Sequence, residues 1–240
     1  MRCFCFCFCF LLLHLPNVQG LKYLGDFPFE KANEMLTSPE WTRAIFVRDP
    51  QQRALSAYLD KAAYSEGYYL RMQCCKRFRP GSIEYNLINC ATGTNRYTKP
   101  KPGEEHIKPT PILSFEDYVS KIVPKCPDPH WEPQASRMAP KYWETINFVG
   151  HFEHLFEDTK TLLTQIDAWE EYGANGWGTG DGQDAAIFDP GNKVTHGTKA
   201  QDKSSASQYF TPEAKRHILE YYADDYRHPV LNFTRPPARR

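Results

Sequence analysis

The chain has 240 residues, 41% hydrophobic and 24% charged, enough for one α/β domain or two small ones. Lys+Arg and Asp+Glu both number 29, so the formal net charge is zero. That balance excludes a global field for nucleic acid or acidic lipid, and any anion has to be bound by local constellations.

The chain opens on an apolar run, Cys3 to Leu13, behind a single Arg2. Eleven residues fit the core of a signal peptide or half of a membrane anchor, and fall short of the roughly 20 that span a bilayer. An incomplete or misjudged start of the chain is the competing explanation. We treat residues 1–20 as a separate apolar segment and 21–240 as one domain. Pro28 to Leu36 predicts a short helix. Ser38-Pro39 predicts a second helix start, with Ser38 as cap and Pro39 at the first position. Arg43 to Val47 predicts a strand, which Arg48-Asp49-Pro50 ends because Pro50 cannot continue a ladder. Gln51 to Ala63 has helical spacing, with Leu55, Leu59 and Ala62 on one side.

Cys74 to Pro111 is polar and rich in Gly, Pro and Asn, and predicts a long surface excursion. Ser114 caps a helix to about Val123, with Asp117 at the box position. Pro124 to Pro140 predicts extended chain. Ile146 to Gly150 predicts a second strand, and His154 to Trp169 an amphipathic helix with Leu155, Leu162, Leu163 and Ile166 inward. Tyr172 to Gly197 is glycine-rich and predicts a loop. Thr211-Pro212-Glu213 caps a last helix through about Tyr226. Two strand-then-helix units argue for an α/β fold with a parallel sheet.

Cys74, Cys75, Cys90 and Cys126 form no CxxC pair, which speaks against structural zinc. They allow three complete pairings, and an oxidising compartment and plain buried thiols both fit them. Asn232-Phe233-Thr234 is a glycosylation sequon, usable only in a luminal chain.

Arg48 stands where a strand feeds directly into a helix. Backbone N–H groups and the helix dipole favour an anion there, and a guanidinium pairs bidentately with phosphate. Ser56, about one and a half turns into the helix, has a hydroxyl for the same phosphate. Each charged hydrogen bond contributes roughly 1.5–3 kcal/mol. The competing explanation is that Arg48 pairs with Asp49 or another carboxylate and Ser56 is an ordinary helix residue.

Phe46-Val47-Arg48-Asp49-Pro50-x-x-Arg53-x-x-Ser56-Ala57-Tyr58-x-x-Lys61 resembles the 3′-phosphate motif of the Golgi carbohydrate sulfotransferases, the sulfotransferase family 2 group. Asp128-Pro129-His130-Trp131-x-Pro133-Gln134 is similar to the His-Trp-x-Pro block of that family. Asn147-Phe148-Val149-Gly150-His151-Phe152-Glu153-x-Leu155 resembles its Phe-Val-Gly-x-x-Glu-x-Leu strand and helix. His196-x-Thr198-x-Ala200-x-x-Lys203, Tyr209-Phe210-Thr211-Pro212 and Tyr221-Tyr222-Ala223-x-Asp225-Tyr226 are similar to its C-terminal region. The likeness runs over roughly residues 40–230 and is nearest to divergent algal-type members.

The resemblance implies a P-loop-NTPase-like sulfotransferase fold, Golgi-lumen localisation with an N-terminal membrane association, and no nucleic-acid partner. It implies PAPS (3′-phosphoadenosine 5′-phosphosulfate) as donor, no metal, and a glycan or polysaccharide as acceptor. By the same resemblance Arg48 and Ser56 hold the donor 3′-phosphate, and Thr198 and Lys203 belong to a loop closing over the nucleotide. The family also carries an earlier lysine loop that grips the 5′-phosphosulfate, where negative charge grows as the sulfuryl group leaves. Before the strand this chain has only Lys22 and Lys31, neither in such a loop. The expectation is therefore an N-terminally incomplete sulfotransferase or a non-catalytic relative that binds nucleotide or glycan.

His130 is the candidate base for the acceptor proton, with Trp131 beside it to stack on a sugar face. Alternatively, His130 holds the backbone of a Pro-rich loop. His151, Glu153 and His154 have spacing that a metal could use, but no further ligand to complete a site is evident. His196 supports the nucleotide loop in this reading. Arg71, Lys76, Arg77 and Arg79 are read as solvated surface charge, with an anionic glycan as the alternative. Gly176 to Gly182 is read as a flexible loop and not a phosphate cradle, since Asp181 and Asp184 are acidic.

Overall fold

A computed structural model describes residues 5–7, 23–63, 67–92, 113–174, 186 and 206–233. It divides into two compact units: Met1–Asp49 with Gln134–Thr195 and His228–Arg240, and Pro50–Pro133 with His196–Arg227.

The first unit is built on a parallel sheet that has three strands among the described residues, in the order β1 (Cys5–Cys7), β2 (Arg43–Val47), β3 (Phe148–His151). Ala44 pairs with Phe148, Ile45 with Val149, Phe46 with Gly150 and Val47 with His151. Parallel sheets are covered on both faces, so a compact apolar run such as Arg-Ala-Ile-Phe-Val suits this strand better than strict alternation would. Ile45 and Val47 pack with Trp143 and Leu231, and Ile146, Val149 and Phe233 lie against them. Gly150 allows the close approach of Phe46: a Cβ there would come within 2.4 Å of the Phe46 ring. Within the apolar start, Cys5–Cys7 pairs in parallel with β2, and residues 1–4 and 8–22 lie outside the described residues. No helix among the described residues is long and apolar enough to cross a membrane.

Helix α1 (Phe29–Thr37) precedes β2, as its spacing predicts. The helix expected from Ser38-Pro39 is only a turn. Ser38 Oγ accepts the Glu40 N–H at 3.3 Å, while the Ser38 carbonyl accepts from the Arg43 guanidinium at 2.7 Å. Four residues before a strand leave no room for a nucleated helix, and the Arg43 side chain fixes the bend instead. After β3 comes α7 (Leu155–Gln165), with Leu162 and Leu163 buried and Asp158 accepting the His151 N–H at 2.6 Å.

The second unit is helical. Helix α2 (Pro50–Ala57) continues in a wider winding over Tyr58–Ala63, followed by α3 (Tyr68–Cys74) and α4 (Ile83–Leu87). Helix α5 begins at Phe115–Asp117 and continues more widely wound over Tyr118–Ile122. Ser114 caps it, accepting the Asp117 N–H at 3.0 Å. In chain order α6 (Pro140–Trp143) belongs to the sheet unit, and α8 (Pro212–Tyr221) returns to the helical one. Thr211 caps α8 by accepting the Ala214 N–H at 3.1 Å, as its sequence predicts.

Part of the high aromatic content forms the core of this second unit. Tyr58, Phe115, Tyr118, Tyr209 and Trp131 meet with centroids 5.3–6.4 Å apart, edge-on or tilted except for the stacked Phe115–Tyr118 pair. Two disulfides settle the cysteine pairing: Cys74–Cys126 and Cys75–Cys90.

The excursion from Cys74 is mostly exposed or half-buried in its described part, where Cys75–Cys90 clamps it, Ser82 caps α4 and Ile88 is fully buried. Residues 93–112 lie outside the described set. The stretch from Pro124 is a succession of turns, with a short 3-10 turn at Gln134–Ser136, and not an extended chain. The buried carboxylate of Asp128 gathers local donors there, which an extended backbone could not present to one point.

Candidate active-site elements

Arg48 follows the last residue of β2 and is half-buried. Its backbone is gripped on both sides by one amide: Gln134 Oε1 accepts the Arg48 N–H at 3.0 Å, and Gln134 Nε2 donates to the Arg48 carbonyl at 2.8 Å. Gln134, itself buried, thus acts as one more residue of a ladder where Pro50 has ended the sheet. The Asp49 N–H is likewise accepted by Glu153 Oε1 at 3.0 Å. Of the backbone donors around the strand tip, two are already engaged. The N–H groups of Arg48 and Asp49 are spent on Gln134 and Glu153, and Pro50 has none. The Arg48 side chain leaves from a backbone whose direction these bonds fix.

The other end of β2 is held in the same way. Asn147 Oδ1 accepts the Arg43 N–H at 2.7 Å, and Asn147 Nδ2 donates to the Trp41 carbonyl at 3.0 Å. Three polar residues of the quoted blocks, Gln134, Asn147 and Glu153, therefore serve the backbone around β2. Glu153 is engaged there, and no group of His, Cys, Asp and Glu among the described residues could hold a metal.

In the helical unit, Ser56 lies half-buried on α2. Three residues earlier, Arg53 is 6% exposed, and its guanidinium donates to the carbonyls of Glu132 at 2.6 Å and Pro129 at 2.9 Å. A buried cation is tolerated when its donors are satisfied, and here they close the turn that carries His130.

His130 sits in that turn with its side chain 30% exposed. Asp128 Oδ1 accepts the His130 backbone N–H at 2.9 Å and lies 2.6 Å from Nδ1. Tyr69 Oη lies 3.0 Å from Asp128 Oδ2 and 3.1 Å from His130 Nδ1. Burial alone pushes the Asp128 carboxyl up, but the hydrogen bonds from the His130 ring and backbone and from Tyr69 outweigh it and hold the group below its ordinary range. Burial first, then the Asp128 charge, pushes the Tyr69 phenol well up, so it stays a protonated donor. Tyr69 also carries the Lys61 ammonium 5.0 Å over its ring centroid.

The expectation that Trp131 stacks on a sugar is overturned. Trp131 is fully buried and donates Nε1–H to the Cys126 carbonyl at 2.7 Å. It is a core residue of the aromatic cluster, one position along from the half-buried His130. Lys76, Arg77 and Arg79 are exposed. Thr198, Lys203 and His196 lie outside the described residues, as does the Gly176–Gly182 stretch.

Reading residues for chemistry missed Gln134, Asp128 and Tyr69, and considered Glu153 only for a metal. Gln134 and Asp128 stand inside quoted blocks, where a polar residue beside Pro was the available signal. Tyr69 is 59 residues from Asp128 and had no signal at all.

A family model described as "Sulfotransferase family" matches residues 14–228. Among curated proteins, the chain is 26% identical over 227 residues to carbohydrate sulfotransferase 9 of Homo sapiens, covering 90% of this chain and 42% of that protein. It is 25% identical over 150 residues to carbohydrate sulfotransferase 14 of Danio rerio, covering 62% of this chain and 35% of that one. The chain thus spans less than half the length of either relative. No solved structure matches it at comparable significance.

Proposed function

Because the chain belongs to the sulfotransferase family, we propose that it moves a sulfuryl group from PAPS to a carbohydrate hydroxyl or amine. In this reading the acceptor oxygen or nitrogen attacks sulfur, and the bond from sulfur to the 5′-phosphate oxygen breaks. The acceptor's proton passes to His130, and 3′-phosphoadenosine 5′-phosphate leaves. Arg48 and Ser56 bind the 3′-phosphate of the donor, and Thr198 and Lys203 belong to the loop over the nucleotide. The parallel sheet is then part of a P-loop-NTPase-like core. No step calls for a metal.

The observation that carries this reading is Arg48 at the tip of β2, its backbone clamped from both sides by Gln134. The held backbone fixes the point from which the Arg48 side chain reaches, which favours a bidentate phosphate contact there. Two disulfides support residence in an oxidising compartment, and we place the chain in the Golgi lumen or the secretory pathway leading to it. Membrane association through the apolar start belongs to the same reading.

The test is calorimetry with 3′,5′-ADP together with transfer of labelled sulfate from PAPS to a polysaccharide panel. Arg48→Ala should weaken 3′,5′-ADP binding about 10- to 150-fold, the equivalent of one charge-assisted contact at roughly 1.5–3 kcal/mol. Binding without transfer to any acceptor would select a non-catalytic relative. Absence of both binding and transfer would sink the proposal.

A further inference from the structure

The hydrogens around Asp128 can be assigned by elimination. An ionised carboxylate is acceptor-only, so each group within reach of it has to donate. His130 Nδ1 lies 2.6 Å from Asp128 Oδ1, so Nδ1 carries the ring proton. Tyr69 Oη is close to both Nδ1 and Asp128 Oδ2, but the Nδ1 hydrogen already points at the carboxylate. The phenol hydrogen therefore goes to Oδ2. With the His130 backbone N–H on Oδ1, the carboxylate receives donors on both oxygens and cannot rotate away. Its side chain is 5% exposed, so water does not compete for it. Arg53 closes the same turn from α2 through the Pro129 and Glu132 carbonyls.

From this geometry we infer that Asp128 is the positioning residue of the site: it fixes His130 with Nδ1 protonated, making Nε2 the atom that takes the acceptor's proton. Tyr69 is the strut that orients Asp128. When the proton arrives at Nε2 the ring becomes a cation, and the carboxylate 2.6 Å from its other nitrogen stabilises that charge as it forms. The chemistry of the transfer is unchanged: sulfur gains the bond to the acceptor, loses the bond to the 5′-phosphate oxygen, and the released proton ends on Nε2. This inference rests on reading His130 as the base.

Ring 15N spectra of the 240-residue chain at about pH 8, above the ordinary histidine range, test it without requiring turnover. The native chain should show His130 with a protonated Nδ1 and an unprotonated Nε2. Asp128→Ala should remove that preference and move the ring toward the Nε2-protonated form. Asp128→Asn keeps an acceptor oxygen and should keep the tautomer, yet it lacks the charge that stabilises the imidazolium. In the transfer assay Asp128→Ala should lose about 100- to 10,000-fold in kcat, the span of a general base, with affinity for 3′,5′-ADP unchanged. Asp128→Asn should lose kcat while retaining the native ring signature, a split that a merely structural residue would not produce. A native ring protonated on Nε2 overturns the inference even if Asp128→Ala does not fold. So does unchanged kcat in the Asp128 variants when His130→Ala is inactive. If His130→Ala keeps its activity, the base lies elsewhere and the reading of His130 fails, while the ring spectra still decide the tautomer.

Discussion

In the sheet unit the backbone around Arg48 is held by side-chain amides and a carboxylate: Gln134 on the N–H and carbonyl of Arg48, Asn147 at the start of β2, Glu153 on Asp49. In the helical unit the turn carrying His130 is held by a buried carboxylate, a buried guanidinium, an aromatic core and the Cys74–Cys126 bridge. The difference follows from what each must present. A strand tip already has a fixed direction, and needs only its orphaned N–H and C=O groups satisfied beyond the point where Pro50 stops the ladder. A turn has no ladder to extend, so its shape has to be imposed by side chains converging from distant parts of the chain. The price of that is a buried charge, tolerable because both Asp128 oxygens accept hydrogen bonds.

The largest effect expected to test this contrast is disulfide cleavage. Cys74–Cys126 and Cys75–Cys90 close separations of 52 and 15 residues, and opening either should cost the helical unit about 3 to 4 kcal/mol. Hydrogen exchange after reduction should then show α3 and α4 losing protection while the amides paired between β2 and β3 keep theirs. Equal loss in both would mean one cooperative unit, and the contrast would break.

Gln134→Leu comes next. It strands the Arg48 N–H and carbonyl without their partner, at about 1–3 kcal/mol. It should weaken 3′,5′-ADP binding by loosening Arg48, yet leave the His130 ring signature as in the native chain. A change in that signature would show that the clamp and the turn are coupled more closely than two separate devices.

Acid pH is the smallest lever, since one carboxyl titrates. Asp128 is held below its ordinary value of 3.8, so the ionised group stabilises the fold above that value, and the contribution is lost as pH falls through the lower folded value. Asp128→Asn should flatten this acid limb of the denaturation curve. Gln134→Leu should leave its shape alone, having no titrating group.

Much of the fold was legible without coordinates. The β2 and β3 segments are short apolar runs bounded by a proline or a charged turn. Ser114 and Thr211 cap helices as written, because the signal and its partner N–H lie three residues apart. The family was legible as well, from blocks of residues in a fixed order, and Arg48 from its place between strand and helix.

Other features needed the tertiary structure. Whether Trp131 faces a sugar or the core depends on Tyr118 and Cys126, which its own neighbours do not encode. The failed helix at Ser38 depends on an arginine that takes its carbonyl. The partners of the Arg48 and Asp49 N–H groups, Gln134 and Glu153, lie 86 and 104 residues away. The cysteine pairing was open among three choices until the chain folded. Local sequence determines capping, periodicity and strand limits, because those interactions close within a few residues. Which polar group meets which, and so whether Asp128 serves the turn or the chemistry, is decided by contacts that only the folded chain brings together.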